Sequence, residues 1–327
     1  DRMRMVARQE ARRHILRSPD HLDRVQKRSW LAVVHSDGNG LGKVFLNFHE
    51  HAGEVMAEGY VQRLQRFSHE LDVCTEQAFG SALLGLEYRC PEDPLPVVPI
   101  VLGGDDMTVV MDGRYAIQFT MDFLCEFERL TASNPLIADI MEGPKKDGPD
   151  RVTACAGVAV VKPHFPFYAA YHLAEELIGS AKKYAKGLNR EKPPSALDFH
   201  ILYDASGPDL DRIRGALRLP EGNSVTELVA RPYLVSDDVA NLRTTAALVT
   251  KMRAVRAKDD DGRPLIPNSQ LHDMRAALFH GREAAEARLN LIRPRYGAAL
   301  EPLLANGGLF WHDGTVHRTA LLDAVSY

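Results

Sequence analysis

Two apolar runs, Val97 to Leu102 and Met107 to Met111, are separated only by Gly103-Gly104-Asp105-Asp106. Such short apolar runs read as strands, and so brief a break between them leaves room for a hairpin turn. The glycine pair suits that turn, because a positive φ is adopted poorly by a residue with a Cβ. Two carboxylates are thereby held at the tip of a buried hairpin. A further apolar strand, Trp30 to His35, runs into Ser36-Asp37-Gly38-Asn39-Gly40-Leu41-Gly42, so another aspartate stands at a strand end beside a glycine-rich bend. Three carboxylates on adjacent strand ends offer oxygen ligands to Mg²⁺ or Mn²⁺, cations that keep places for water and substrate phosphates. The chemistry this favours is phosphoryl transfer. Taken singly, each motif also reads as an ordinary polar turn.

Order along the chain adds weight. The pattern predicts a strand (Trp30 to His35), a helix (Gly53 to Gly80), strands (Val97 to Leu102 and Met107 to Met111) and a helix (Tyr115 to Leu130). A strand (Val152 to Val161), a helix (Pro166 to Lys186) and a strand (Leu197 to Leu202) follow. This is an α+β arrangement, a ferredoxin-like βαββαβ palm with extra elements. Right-handed crossovers would set the first and third strands side by side, with Asp37 facing the hairpin.

Asp37 with its Gly/Asn-rich turn, Gly103-Gly104-Asp105-Asp106, the run Ala156 to His164, then Ala174-Glu175-Glu176-Leu177 and Ala181-Lys182 together resemble the catalytic palm of the CRISPR-associated polymerase. That protein is the large subunit of type III CRISPR effectors, distantly similar to diguanylate and class III adenylyl cyclases. Arg231-Pro232-Tyr233 resembles that family's exit from the palm into a helical domain. The resemblance covers about residues 29–233. It implies a nucleotidyltransferase that joins ATP or another nucleoside triphosphate, 3′ hydroxyl to α-phosphate, and makes cyclic oligoadenylates for antiviral defence. By the same resemblance Asp37, Asp105 and Asp106 are the catalytic metal ligands, and Lys182 binds the triphosphate. Ser36, Gly38, Asn39, Gly103 and Gly104 are candidates for nucleotide contact, although residues of these types more often shape a turn. In that family two palms face each other, so the single palm here implies a homodimer with two-fold symmetry.

The division expected is a basic N-terminal helix at 1–28, the palm at 29–235 and a helical accessory domain at 236–327. Within the last, Ser236-Asp237-Asp238 reads as a cap leading a helix to about Lys258, and a second helix runs from Asn268 to about Arg293. Asp313-Gly314 reads as a hairpin turn and Thr319 to Val325 as a short helix. Formal charge is −4, from 40 basic and 44 acidic residues, so no global basic field marks a nonspecific nucleic-acid binder. The nine basic residues among the first 28 leave RNA or a CRISPR effector as a candidate partner. Cys74, Cys90, Cys125 and Cys155 are scattered without a Cys-x-x-Cys pair and read as buried thiols. No membrane-spanning run and no secretory pattern are seen, which predicts a cytoplasmic location.

Two other readings stay open. One is a catalytically silent scaffold that binds nucleotide or RNA. The other is a diguanylate cyclase, against which Asp106 stands where those enzymes carry glutamate.

Overall fold

Three of the apolar runs lie side by side at the centre of the first unit. In this computed structural model the described residues are 30–51, 57–86, 97–143, 145, 148–203, 209–238 and 240–326. The expected basic helix at 1–28 lies outside them. Two compact units are present, Asp1–Pro208 and Asp209–Tyr327.

The first unit runs β1 (Leu31–Gly38), α1 (Leu41–Leu46), α2 (Phe48–His51), α3 (Ala57–Leu84), β2 (Val97–Gly103) and β3 (Asp106–Asp112). It continues with α4 (Gly113–Ala132), α5 (Pro135–Glu142), β4 (Ala154–Val161), α6 (Phe167–Leu188) and β5 (Ala196–Ile201). Within this unit the strand order is β2-β3-β1-β4-β5. β1 is antiparallel to both β3 and β4, β2 is antiparallel to β3, and β4 is parallel to β5. The first and third strands are thus neighbours, as the palm arrangement requires.

All eight residues of β4 are buried, which means that helices cover both of its faces. A Cβ on Gly157 would lie 2.1 Å from the Ala174 carbonyl oxygen, so α6 presses directly on that face. Val160 points to the other face by the two-residue alternation, and a Cβ on Gly113 at the start of α4 would lie 2.9 Å from its Cγ1. Along α4, Phe119, Phe123 and Phe127 recur every fourth residue, and Phe79 of α3 meets Phe119 edge-on at 5.6 Å. Each of these four rings is at most 1 % exposed, and burying one contributes about 1.5–3 kcal/mol. Asp112 starts α4 by accepting the Arg114 N–H at 3.0 Å. Beyond the predicted end at Leu130, the helix continues to Ala132, and Asn134 then caps α5 through the Leu136 and Ile137 amides.

In the second unit the expected helical part is present: Leu210–Ala216, Thr245–Arg256, Asn268–Leu278, Arg282–Leu300 and Leu321–Ser326 are helices. A four-stranded sheet accompanies them, in the order Arg218–Glu221, Ser224–Glu227, Val316–Arg318, Trp311–Asp313. The hairpin expected at Asp313-Gly314 is present with its turn one residue on: Asp313 pairs with Val316, leaving Gly314 and Thr315 as the turn. Pairing of Ser224–Glu227 with Val316–Arg318 draws residues 218–227 into this unit, whereas the sequence reading ran the palm to 235. The helix expected from 236 begins only at Thr245, because Thr244 caps it through the Ala247 N–H while Asp238 turns the chain separately through the Ala240 N–H. The helix expected over 268–293 is two helices, broken where Gly281 takes φ +100. Of the cysteines, Cys74 and Cys155 are buried but Cys125 is exposed, since Phe123, Leu124 and Phe127 take the core-facing positions around it. Cys90 lies outside the described residues. Among the described residues, no helix is long and apolar enough to cross a membrane.

Candidate metal centre

The pairing of β1 with β3 sets Ser36 opposite Met107, so the next step of that register brings Asp37 beside Asp106. On the other side, Gly103 pairs with Asp106 as the last rung of the β2–β3 hairpin, leaving Gly104 and Asp105 as the turn. Gly104 takes φ +60, the glycine-first pattern of a type II′ hairpin turn. Asp37, Asp105 and Asp106 each present a carboxylate oxygen within 4.8 Å of the others. Gly38 makes the convergence sterically feasible. A Cβ there would lie 2.7 Å from Asp105 Oδ2 and 2.9 Å from Leu41 Cδ1.

Crowding of like charge shows in the acidities. The Asp105 carboxyl is pushed above the ordinary carboxylate range by burial first, then by Asp106 and Asp37, while hydrogen bonds from its own backbone and from Gly38 pull it back. Asp106 is raised by burial and by Asp37, with His35 and Lys182 acting the other way. Lys182 of α6 is ion-paired to Asp37 Oδ1. The close approach of α6 at Gly157 is what lets it reach across to the end of β1. His35 is held by the Thr108 hydroxyl at 2.9 Å, with its ring 5.3 Å from that of Tyr171.

The remaining sequence candidates fall into two groups. Gly38, Gly103 and Gly104 lie at the centre, where they form the bend and the hairpin tip. Ser36 and Asn39 are not brought to its surface: Ser36 is fully buried and Asn39 is 5 % exposed. Asn39 instead locks the bend to the strand beside it, Nδ2 donating to Thr153 Oγ1 at 3.0 Å and its backbone N–H to the Thr153 carbonyl at 2.7 Å. Sequence reasoning passed over Asp72 and Thr75 of α3, which both hydrogen-bond Gly104. Polar residues on a long helix carry no local signal for such a contact.

As a donor set, three carboxylates carry excess negative charge and only oxygen, with no imidazole or thiolate among them. They fit a hard divalent cation such as Mg²⁺ or Mn²⁺.

Residues 30–190 match the family model described as Cas10/Cmr2, second palm domain. This region is similar to a Cas10/Cmr2 palm. Through it, the chain is similar to part of the large subunit of type III CRISPR effectors. The crystal structure of Csm1 from T. onnurineus aligns with this palm and the residues beyond it at a TM-score of 0.51 and 12 % identity, covering 85 % of this chain and 34 % of that one. A Csm1–Csm4 cassette in complex with cA4 aligns at a TM-score of 0.43 and 11 % identity, covering 88 % and 33 %. A Csm1–Csm4 cassette with AMPPNP aligns at 0.42 and 12 %, covering 86 % and 32 %. The chain therefore spans about a third of the length of the solved chains it resembles. No curated protein matches its sequence.

Proposed function

We propose that this palm is a nucleotidyltransferase that joins ATP molecules and releases pyrophosphate, making cyclic adenylate messengers of the kind used in CRISPR defence. The observation that carries this reading is the convergence of Asp37, Asp105 and Asp106 within 4.8 Å beside Lys182. In this reading the three aspartates hold divalent cations. A bound cation lowers the pKa of the attacking 3′ hydroxyl and offsets charge on the leaving group. The new bond joins the 3′ oxygen to the α-phosphorus, the bond from that phosphorus to the pyrophosphate oxygen breaks, and the hydroxyl proton passes to solvent. No protein base is assigned. Lys182 would turn its ammonium to the triphosphate, a role suited to a point charge on a flexible stem. Gly38 leaves Asp105 its room, and Gly103 and Gly104 carry the tip.

A second nucleotide site comes, in this reading, from another copy of the chain facing the first. Sedimentation that shows a persistent monomer, with turnover independent of protein concentration, overturns that part. The whole reading is tested by incubating the protein with mixed nucleoside triphosphates and Mg²⁺ or Mn²⁺ and identifying products by mass spectrometry. ATP-derived cyclic products and pyrophosphate are expected, and their absence rejects the reading. A product made from GTP alone would favour diguanylate synthesis instead.

The Lys182–Asp37 ion pair also supports a second reading, a silent binding subunit in which the ammonium permanently takes the cation's place. Tight nucleotide binding with no product separates that scaffold from the enzyme.

A further inference from the structure

Asp72 and Thr75 stand about one turn apart on α3, and both reach the same residue of the hairpin tip. Asp72 Oδ1 accepts the Gly104 N–H, and Thr75 Oγ1 donates to the Gly104 carbonyl oxygen at 2.5 Å. That carbonyl belongs to the peptide that carries the Asp105 N–H. Its orientation therefore decides where Asp105 points, and the following residue is Asp106. A glycine at φ +60 on a hairpin tip has wide backbone freedom, and the three carboxylates gathered there repel one another. Left unheld, the tip would relax away from Asp37.

We propose that Asp72 and Thr75 are positioning residues that clamp Gly104, through the peptide units on either side of it, to α3 and so preset Asp105 and Asp106 against Asp37 for a divalent cation. The proposal rests on the metal-holding reading of the three aspartates. The two hydrogen bonds hold the two peptide units that meet at Gly104, one on each side of its Cα, so both of its backbone torsions are restrained, which one bond alone does not do. Preset geometry of this kind is what a binding constellation needs, since a site about 1 Å too loose fails. Asp72 is exposed and contributes little packing, whereas Thr75 is 1 % exposed. Removal of the Asp72 carboxylate therefore reports on the clamp with little disturbance of the core.

The test is Mn²⁺ binding to the full chain, read from the loss of the free-ion paramagnetic resonance signal, with thermal melts alongside. Asp72→Ala and Thr75→Val are expected to weaken Mn²⁺ binding about tenfold or more, the range for residues that orient metal ligands, with melting nearly unchanged for Asp72→Ala. Asp72→Asn keeps an acceptor oxygen and Thr75→Ser keeps a donor hydroxyl, so both retain affinity close to the parent. Parent-like affinity in Asp72→Ala and Thr75→Val overturns the clamp alone. So does an Asp72→Asn that binds as weakly as Asp72→Ala, because charge and not the hydrogen bond would then be responsible. A parent chain that binds no Mn²⁺ overturns the metal reading and the clamp with it.

Discussion

Two charge clusters, one in each unit, are answered in opposite ways. In the second unit Asp323 is fully buried yet its charge is paired: Arg231 Nε lies 2.9 Å from Oδ1, while the Tyr233 hydroxyl and the Ala230 N–H donate to Oδ2 at 2.6 and 2.8 Å. Burial and Asp323 push the Tyr233 hydroxyl well up, so it stays a donor. In the palm, three carboxylates meet with one lysine paired to Asp37, and two have their pKa values raised. Compensated charge is architecture, whereas uncompensated charge held in place has a cost that folding alone does not repay. That contrast is why the acid cluster, and not the Asp323 network, reads as a site.

The largest effect expected is on catalysis. Asp105→Asn with Asp106→Asn should lower pyrophosphate release by about a thousandfold or more, since several kcal/mol of transition-state stabilisation go with the cation. Phosphate-coupled rate assays check this, and an active double variant breaks the distinction between the two units.

Next comes stability of the second unit. Asp323→Ala strands the Arg231 charge, only 6 % exposed, and should cost about 3–5 kcal/mol in urea unfolding. The chain has two tryptophans, Trp30 in the palm and Trp311 in the second unit, so a Trp30→Phe background reports the second unit by fluorescence. A loss below about 1 kcal/mol would mean that the network is dispensable.

Lys251 gives a pH signature of the same unit. Its ammonium donates to the Leu303 carbonyl at 2.9 Å and burial lowers its pKa from 10.5 to about 8. Between those values the unfolded chain binds the proton and the folded chain does not, so this group adds stability as pH rises through that window. A gain of about 1–3 kcal/mol between pH 8 and 10 is expected in the Trp311 transition, and Lys251→Met should remove it.

The smallest effect sharpens the comparison most. Protonation of Asp105 and Asp106 is easier in the folded palm than in the unfolded chain. Without metal, stability from these groups should rise as pH falls from neutral through their raised values, and be missing above them. Asp106→Asn should then raise the melting temperature in EDTA by about 1–2 °C, a modest figure because the group is exposed and screened. Added Mg²⁺ should stabilise the parent and leave the double variant unmoved, as calorimetry can show.

Much of the palm was readable from its residues. Apolar runs of strand length, the Gly103-Gly104 break and the Asn39-Gly40 bend have strong local signals, and the element order βαββαβ follows from them. The sheet in the second unit was not readable: Arg218–Glu221 and Ser224–Glu227 are short, charged and of mixed polarity, and although they pair with each other, they join a sheet only because Ser224–Glu227 pairs with residues about ninety positions later. Ser36 and Asn39 looked like ligand contacts because polar residues beside a candidate metal-binding aspartate are locally indistinguishable from residues that brace a turn.

Sequence alone determined which chemistry was on offer, because carboxylates beside glycine turns at strand ends are written in residue type and spacing. It also determined the strand and helix order of the palm, through periodicities of two and 3.6 residues. Tertiary structure alone decided that the three carboxylates meet within 4.8 Å, that Lys182 pairs with Asp37, and that Asp72 and Thr75 hold the tip. Those contacts join residues about thirty to 145 positions apart, and no local rule encodes the register and helix packing that close such distances.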